Sequence, residues 1–170
     1  QQQAQHQGQA AKQQQRLAGP RAPLRNLLGI GINGLALRLA QGGQGGLLGL
    51  CGYTDMRDVH AQVEKGNDRA ELALKLLVRS IKKTLGSYFF LLEGNVDALV
   101  FTAGIGENDD IVRAMVCEGL EAFGIKLNKE ENGTRKPGAR IITTPDSKIP
   151  VIIIPTNEEL QIALATVEVL

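Results

Sequence analysis

Three short clusters hold the residues of this sequence that could do chemistry. Residues 103–108, Ala-Gly-Ile-Gly-Glu-Asn, place Gly104 and Gly106 on either side of Ile105, where backbone N–H groups without a neighbouring Cβ can approach an anion closely. Asn108 or Asp109 is positioned to cap a helix that follows. A helix start adds unpaired N–H donors and about half a unit of positive dipole charge. On the residues alone this is either an anion site, phosphate above all, or an ordinary strand-to-helix connection. The third glycine of a dinucleotide fingerprint is missing, as is the Lys-Ser/Thr ending of a P-loop, so neither motif applies.

The second cluster, Thr54-Asp55-Met56-Arg57-Asp58, offers acceptors and one guanidinium in a single short run. It can serve a ligand, or Arg57 and Asp58 can cap or pair locally on a surface loop. In the third, Pro155-Thr156-Asn157-Glu158-Glu159, a cap residue precedes two carboxylates that favour a helix start whether or not they have a function. A functional reading makes one of them a magnesium ligand, since that ion keeps several waters and takes few protein carboxylates. His6 and His60 are each solitary, with no visible partner for acid–base work. Cys51 and Cys117 lack any CxxC or Cys/His spacing, which indicates neither a disulfide framework nor a zinc site. Both thiols are expected to be reduced and partly buried.

These clusters need elements to position them. Residues 97–102 are a short apolar run, expected as a buried strand leading into the glycines. Upstream, 47–50 suggest a strand end or loop. Residues 68–90 form the clearest helix: Ala70, Ala73, Leu74, Leu77, Ile81, Leu85, Tyr88 and Phe89 recur at helical spacing, and Asp68 with Glu71 fits a capping box. After the glycines a helix is expected over 109–123, ended by Gly124, with Ile111, Ala114, Met115, Cys117 and Leu120 facing inward. Residues 129–138 look like a surface loop, 140–144 and 151–154 like two short strands around a turn at 145–148, and Asn157 like the cap of a last helix. Strands alternating with helices predict an α/β layer with a mostly parallel sheet.

Length favours one domain with a real core. Residues 1–19 are low complexity, with nine glutamines in the first 15 positions, and hold too little apolar area to offset backbone entropy. No stable element is assigned to 20–46, because Gly29, Gly31 and Gly34 each weaken a helix there by about 1 kcal/mol. Residues 1–46 contain five basic residues and no acid; the remaining 124 carry 14 basic and 18 acidic side chains. That balance gives no reason to propose nucleic acid as a partner. No run approaches the roughly 18 apolar residues that span a bilayer, and the sequence shows no charged-apolar-small signal-peptide pattern. A cytoplasmic protein is expected, with an organellar address as the other reading of the basic, acid-poor N-terminus. A start at Gln rather than Met suggests a fragment or a processed product.

Taken in order, Gly-Leu-Leu-Gly-Leu-Cys-Gly-Tyr-Thr-Asp-Met-Arg-Asp, then Asn-Val-Asp-Ala-Leu-Val-Phe-Thr-Ala-Gly-Ile-Gly-Glu-Asn, then Ile-Pro-Thr-Asn-Glu-Glu-Leu, the clusters closely resemble the C-terminal part of the acetate kinase family. The resemblance covers 46–170 and leaves 1–45 unmatched. It implies part of the C-terminal domain of a two-domain ribonuclease-H-like (actin-like ATPase) fold, a mostly parallel sheet flanked by helices. The reaction it implies is reversible transfer of the terminal phosphoryl group of ATP to acetate, giving acetyl phosphate and ADP, with Mg2+. Residue by residue, Asp55, Met56 and Arg57 would flank the adenosine, Gly104, Ile105, Gly106, Glu107 and Asn108 would hold the phosphates, and Glu158 would bind the metal.

The family's N-terminal domain, with the asparagine, arginines, histidines and aspartate that bind acetate and stabilise the transferring phosphoryl group, has no counterpart in these residues. No catalytic residue is therefore identifiable. The expectation is the nucleotide and magnesium half of a site, inactive alone, from a homodimeric parent. A fragment of a propionate or butyrate kinase is the close variant, since carboxylate length is chosen in the missing half. A non-catalytic nucleotide-binding or dimerisation module is the alternative from another class.

Overall fold

The computed structural model of the chain describes residues 27–31, 46–157, 162 and 165–167, with side chains described from residue 46 onward. Its axis is β2 (Ala98–Thr102), flanked in parallel by β1 (Leu27–Gly31) and β4 (Val151–Ile153). A two-residue strand, β3 (Arg140–Ile141), lies antiparallel to β4 at the edge, so the order is β1-β2-β4-β3. Register runs from Leu27↔Ala98 to Gly31↔Thr102 and from Leu99↔Val151 to Phe101↔Ile153. Side chains along β2 alternate between the two faces, as a strand requires. Leu99 and Phe101 enter the main core with Val151 and Ile153, while Ala98 and Val100 join Ile152 in a smaller cluster. Both faces are covered, which explains why the strand is a continuous apolar run.

Helix α3 (Asp68–Leu91) supplies more of the main core than any other element. Ala70, Ala73, Leu74, Leu77, Val78, Ile81 and Leu85 form its buried stripe, and each fully buried Leu or Ile contributes about 1.5–3 kcal/mol. Packed against it are α1 (Gly46–Cys51), through Leu47, and α2 (Met56–Glu64), through Met56 and Val59. Beyond β2 come α4 (Ala103–Asn108), α5 (Asp110–Cys117), a 3-10 turn (Glu121–Phe123) and α6 (Lys129–Gly133).

Several elements differ from the sequence expectation, each for a local reason. Residues 47–50 are helical rather than a strand end or loop: they lie in α1, which starts at Gly46 with φ 73°. A strand, β1, lies within the stretch to which the sequence assigns no stable element. The cap of α3 is Asn67, whose Oδ1 accepts from the amides of Arg69 and Ala70, so the Asp68–Glu71 capping box does not form. Tyr88 is exposed, because the stripe continues from Leu85 to the partly buried Phe89 instead.

The helix expected over 109–123 breaks after Cys117, where Gly119 takes φ 78°, and resumes as the 3-10 turn ended by Gly124 at φ 83°. Its inner face is Val112, Arg113, Val116 and Cys117, while Ile111 is exposed, because packing against α3 selects the valine side of the helix. The loop expected over 129–138 opens with α6, whose cap Asn128 accepts from the amides of Glu130 and Glu131. Most of the last expected helix lies outside the described residues, Glu158 included. Of its described positions, Ile162 and 165–167 are helical, and Thr166 Oγ1 donates to the Ile162 carbonyl at 2.8 Å.

Candidate nucleotide site

The glycine stretch is itself a short helix rather than an open turn. Thr102 leaves β2 extended at φ −148°, and Ala103, buried, turns the chain with φ 61°. A positive φ is costly for a residue with a Cβ and persists only where the surroundings enforce it. The unusual backbone angle therefore belongs to Ala103; neither Gly104 nor Gly106 has a positive φ. Gly106 is needed for a different reason: a Cβ there would stand 3.3 Å from the backbone carbon of Phe101. It lets α4 fold back against the end of β2. Gly104 is exposed, and the side-chain amide of Asn108 donates to its carbonyl at 2.9 Å.

Asp109, not Asn108, caps α5: its Oδ1 accepts from the Val112 amide at 2.9 Å. The other oxygen, Oδ2, meets His60 Nε2 at 2.8 Å. As a hydrogen bond to a carboxylate, which only accepts, this contact uses the form of the ring that carries a proton on Nε2. The sequence leaves His60 without a partner; the structure pairs it with a residue 49 positions away.

Beneath the stretch lies Arg113, 2% exposed, which sequence analysis does not single out. Its Nη1 donates to the carbonyls of Gly106 and Glu107 at 2.9 and 3.0 Å, Nε to Asn132 Oδ1 at 2.8 Å, and Nη2 to the Asn132 carbonyl at 2.7 Å. Asn132 Nδ2 in turn donates to the Asp110 carbonyl. Burial lowers the Arg113 pKa, and nearby Arg140 lowers it further, while Asp110 and Asp109 oppose the shift. The guanidinium closes the C-terminal end of α4, where helix carbonyls have no partners of their own. A single arginine in an apolar period gives little signal of this in sequence.

Glu107 points toward the third cluster. Its Oε1 accepts from the Thr156 amide at 2.9 Å and the Thr156 hydroxyl at 3.0 Å. The second cluster starts α2. Asp55 caps it by accepting from the Arg57 amide at 2.9 Å, and pairs in a fork with the same guanidinium, Nη2 to Oδ2 at 2.6 Å and Nε to Oδ1 at 3.1 Å. Those bonds hold the Asp55 carboxyl down at about 2 and raise the Arg57 pKa. Arg57 is the more exposed partner, while Met56 is buried in the core. Among the described residues, then, α2 is joined to the end of the glycine helix by His60–Asp109, and that helix to residue 156 by Glu107.

A strand that runs through a buried positive-φ residue into a short glycine helix, within a sheet of mostly parallel strands under helices, is part of one domain of the actin-like ATPase fold. The chain belongs to the acetokinase family, whose profile matches residues 31–164. Acetate kinase from Desulfovibrio desulfuricans is 82% identical over 125 residues, 74% of this chain and 31% of that protein. Among solved structures, acetate kinase from Porphyromonas gingivalis superposes with a TM-score of 0.67 at 38% identity, over 74% of this chain and 31% of that one. Propionate kinase from Francisella tularensis superposes at 0.63 and 37% identity, over 71% and 30%. The chain thus spans about a third of the length of these relatives.

Proposed function

We propose that this chain supplies the nucleotide and magnesium half of an acetate-kinase-type phosphotransferase, which in the whole protein moves the terminal phosphoryl group of ATP reversibly onto acetate. Asp55, Met56 and Arg57 flank the adenosine, and Gly104, Ile105, Gly106, Glu107 and Asn108 hold the phosphates. The observation that carries this reading is the convergence of three sequence-distant clusters, through His60–Asp109 and Glu107–Thr156. Met56 is buried in the core, so its part in this reading is to fix the backbone between Asp55 and Arg57.

In this reading magnesium accompanies the nucleotide. Among the described residues no group of three or more His, Cys, Asp and Glu side chains comes together, and an ion held through nucleotide phosphates needs only one or two protein carboxylates. Glu158, two positions after the Thr156 that Glu107 anchors, is the carboxylate assigned to it. Bound there, the ion would neutralise phosphate charge. This chain's own part is positioning and backbone donation, which is most of what phosphoryl transfer asks of a protein.

In this reading the chain binds nucleotide and makes no acetyl phosphate alone, because the acetate-binding groups lie on the family's other domain; the parent enzyme is a cytoplasmic homodimer. No helix among the described residues is long and apolar enough to cross a membrane. Thermal-shift titration with magnesium-ADP tests the binding: at about 100 times its dissociation constant a ligand adds roughly 2.7 kcal/mol of stability. Absence of any shift, at concentrations that stabilise a full-length relative, would overturn the reading. A second reading, a non-catalytic assembly module, draws on Phe90 and Leu91, which stand 88% and 76% exposed at the end of α3. Self-association by sedimentation, without nucleotide binding, would favour it.

A further inference from the structure

Helix α2 carries the residues assigned to adenosine at its N-terminus, and α4 carries those assigned to phosphate. The two helices belong to different parts of the packing: α2 rests on α3, whereas α4 rests on β2 and α5. A ligand that touches both gains from both only if their separation is fixed beforehand; otherwise ordering them is charged against binding. The His60–Asp109 bond spans this division. His60 lies on α2 just beyond the adenosine cluster, and Asp109 directly follows Asn108. The contact is sheltered, with the two side chains 17% and 9% exposed. Asp109 is itself immobilised, because its other oxygen caps α5.

We propose that His60 is a positioning residue for a nucleoside diphosphate: through Asp109 it holds α2 at the distance from the glycine helix that lets one ligand engage both. The proposal rests on the nucleotide reading above. His60 touches neither adenosine nor phosphate. Its effect appears only with ligands that bridge the two helices, so adenosine, which lacks the phosphates, is indifferent to it.

Isothermal titration of the 170-residue chain with magnesium-ADP and with adenosine tests this. The wild-type chain should bind ADP more tightly than adenosine. His60→Leu should weaken ADP about tenfold, the scale of one hydrogen bond to a charged group, and leave adenosine within about twofold. His60→Gln, whose Nε2 reaches a similar position as a donor, should recover most of the loss. Should His60→Leu fail to fold, Asp109→Ser keeps a helix cap while withdrawing the carboxylate from His60, and the same selective loss is expected. Unchanged ADP affinity in the variant that folds, or equal losses for ADP and adenosine, would overturn the positioning role while leaving the nucleotide reading intact. A wild-type chain that binds ADP no better than adenosine would overturn the nucleotide reading itself, and the positioning role with it.

Discussion

The guanidinium of Arg113 and the carbonyl of Gly106, seven residues apart in sequence, meet at 2.9 Å in the interior. The same nitrogen takes the Glu107 carbonyl, and the remaining donors go to Asn132. The end of the glycine helix is thereby fixed to α5 and α6 at once. A buried charge is tolerated here because carbonyl oxygens and one amide oxygen surround it.

Arg113→Met should therefore cost far more than a lost surface charge. It keeps apolar bulk but leaves the Gly106 and Glu107 carbonyls without their donor, a loss of about 3 kcal/mol. Urea denaturation followed by circular dichroism should show a lower midpoint with an unchanged slope. A midpoint within error of wild type would mean that water replaces the guanidinium at no cost.

Gly106→Ala should destabilise the chain by about 1–3 kcal/mol, the cost of overpacking, since the new methyl stands 3.3 Å from the Phe101 backbone. Gly133→Ala is the control: the nearest atom to its added methyl, Asp110 Oδ2, is 4.0 Å away, and the position is helical. It should be neutral or slightly stabilising. A neutral or stabilising effect at both positions would show that helix propensity, not the Phe101 contact, governs position 106.

Much of this arrangement is legible in the sequence where the period is long. Leu74, Leu77, Ile81 and Leu85 recur over enough turns that the core face of α3 is unambiguous, and the apolar run into β2 is equally clear. Over short spans the same rules lose their footing. Asp109 and Asn108 are equivalent candidates for the α5 cap until packing chooses, and packing also puts Val112 and Val116 at the centre of the inner face, with Met115 at its margin and Ile111 exposed. The three chemical clusters are visible as residue types, but the bonds that join them, His60–Asp109 and Glu107–Thr156, each link residues 49 apart. No local pattern contains a contact of that separation.

Asp55 should titrate far below an ordinary aspartate. Its folded-state value of about 2, against 3.8 for a free side chain, comes first from the Arg57 side chain and then from the Arg57 amide. Because the folded value is the lower one, the capping interaction is fully present above about pH 4 and is lost as the pH falls toward 2. Carbon-detected NMR of the Asp55 carboxyl should give a midpoint near 2, and Arg57→Ala should bring it back toward the ordinary range. An ordinary midpoint in the unsubstituted chain would show that the pair does not persist in water.

Cys117 should be chemically silent while the chain is folded. Burial pushes its thiol up to about 12, from 9.0 for a free one, and the side chain is 2% exposed. The folded state keeps this proton where the unfolded state gives it up, so its contribution to stability is intact below about pH 9 and disappears toward pH 12. Iodoacetamide at pH 8, read by mass spectrometry, should leave Cys117 unmodified in buffer and label it in denaturant. Rapid labelling of the native chain would indicate that α5 opens locally.

The position of β2 also bears on how the chain comes off the ribosome. Its parallel neighbours come from opposite ends of the sequence, β1 before it and β4 after it. Until β4 has been synthesised, β2 presents one unpaired edge of its most apolar segment to whatever lies nearby. Helices α2 and α3 depend on local contacts and can form at once, whereas completing the sheet waits for a loop of about fifty residues to close. The topology thus favours early helices, with β4 the last strand to join the one that leads to the glycines.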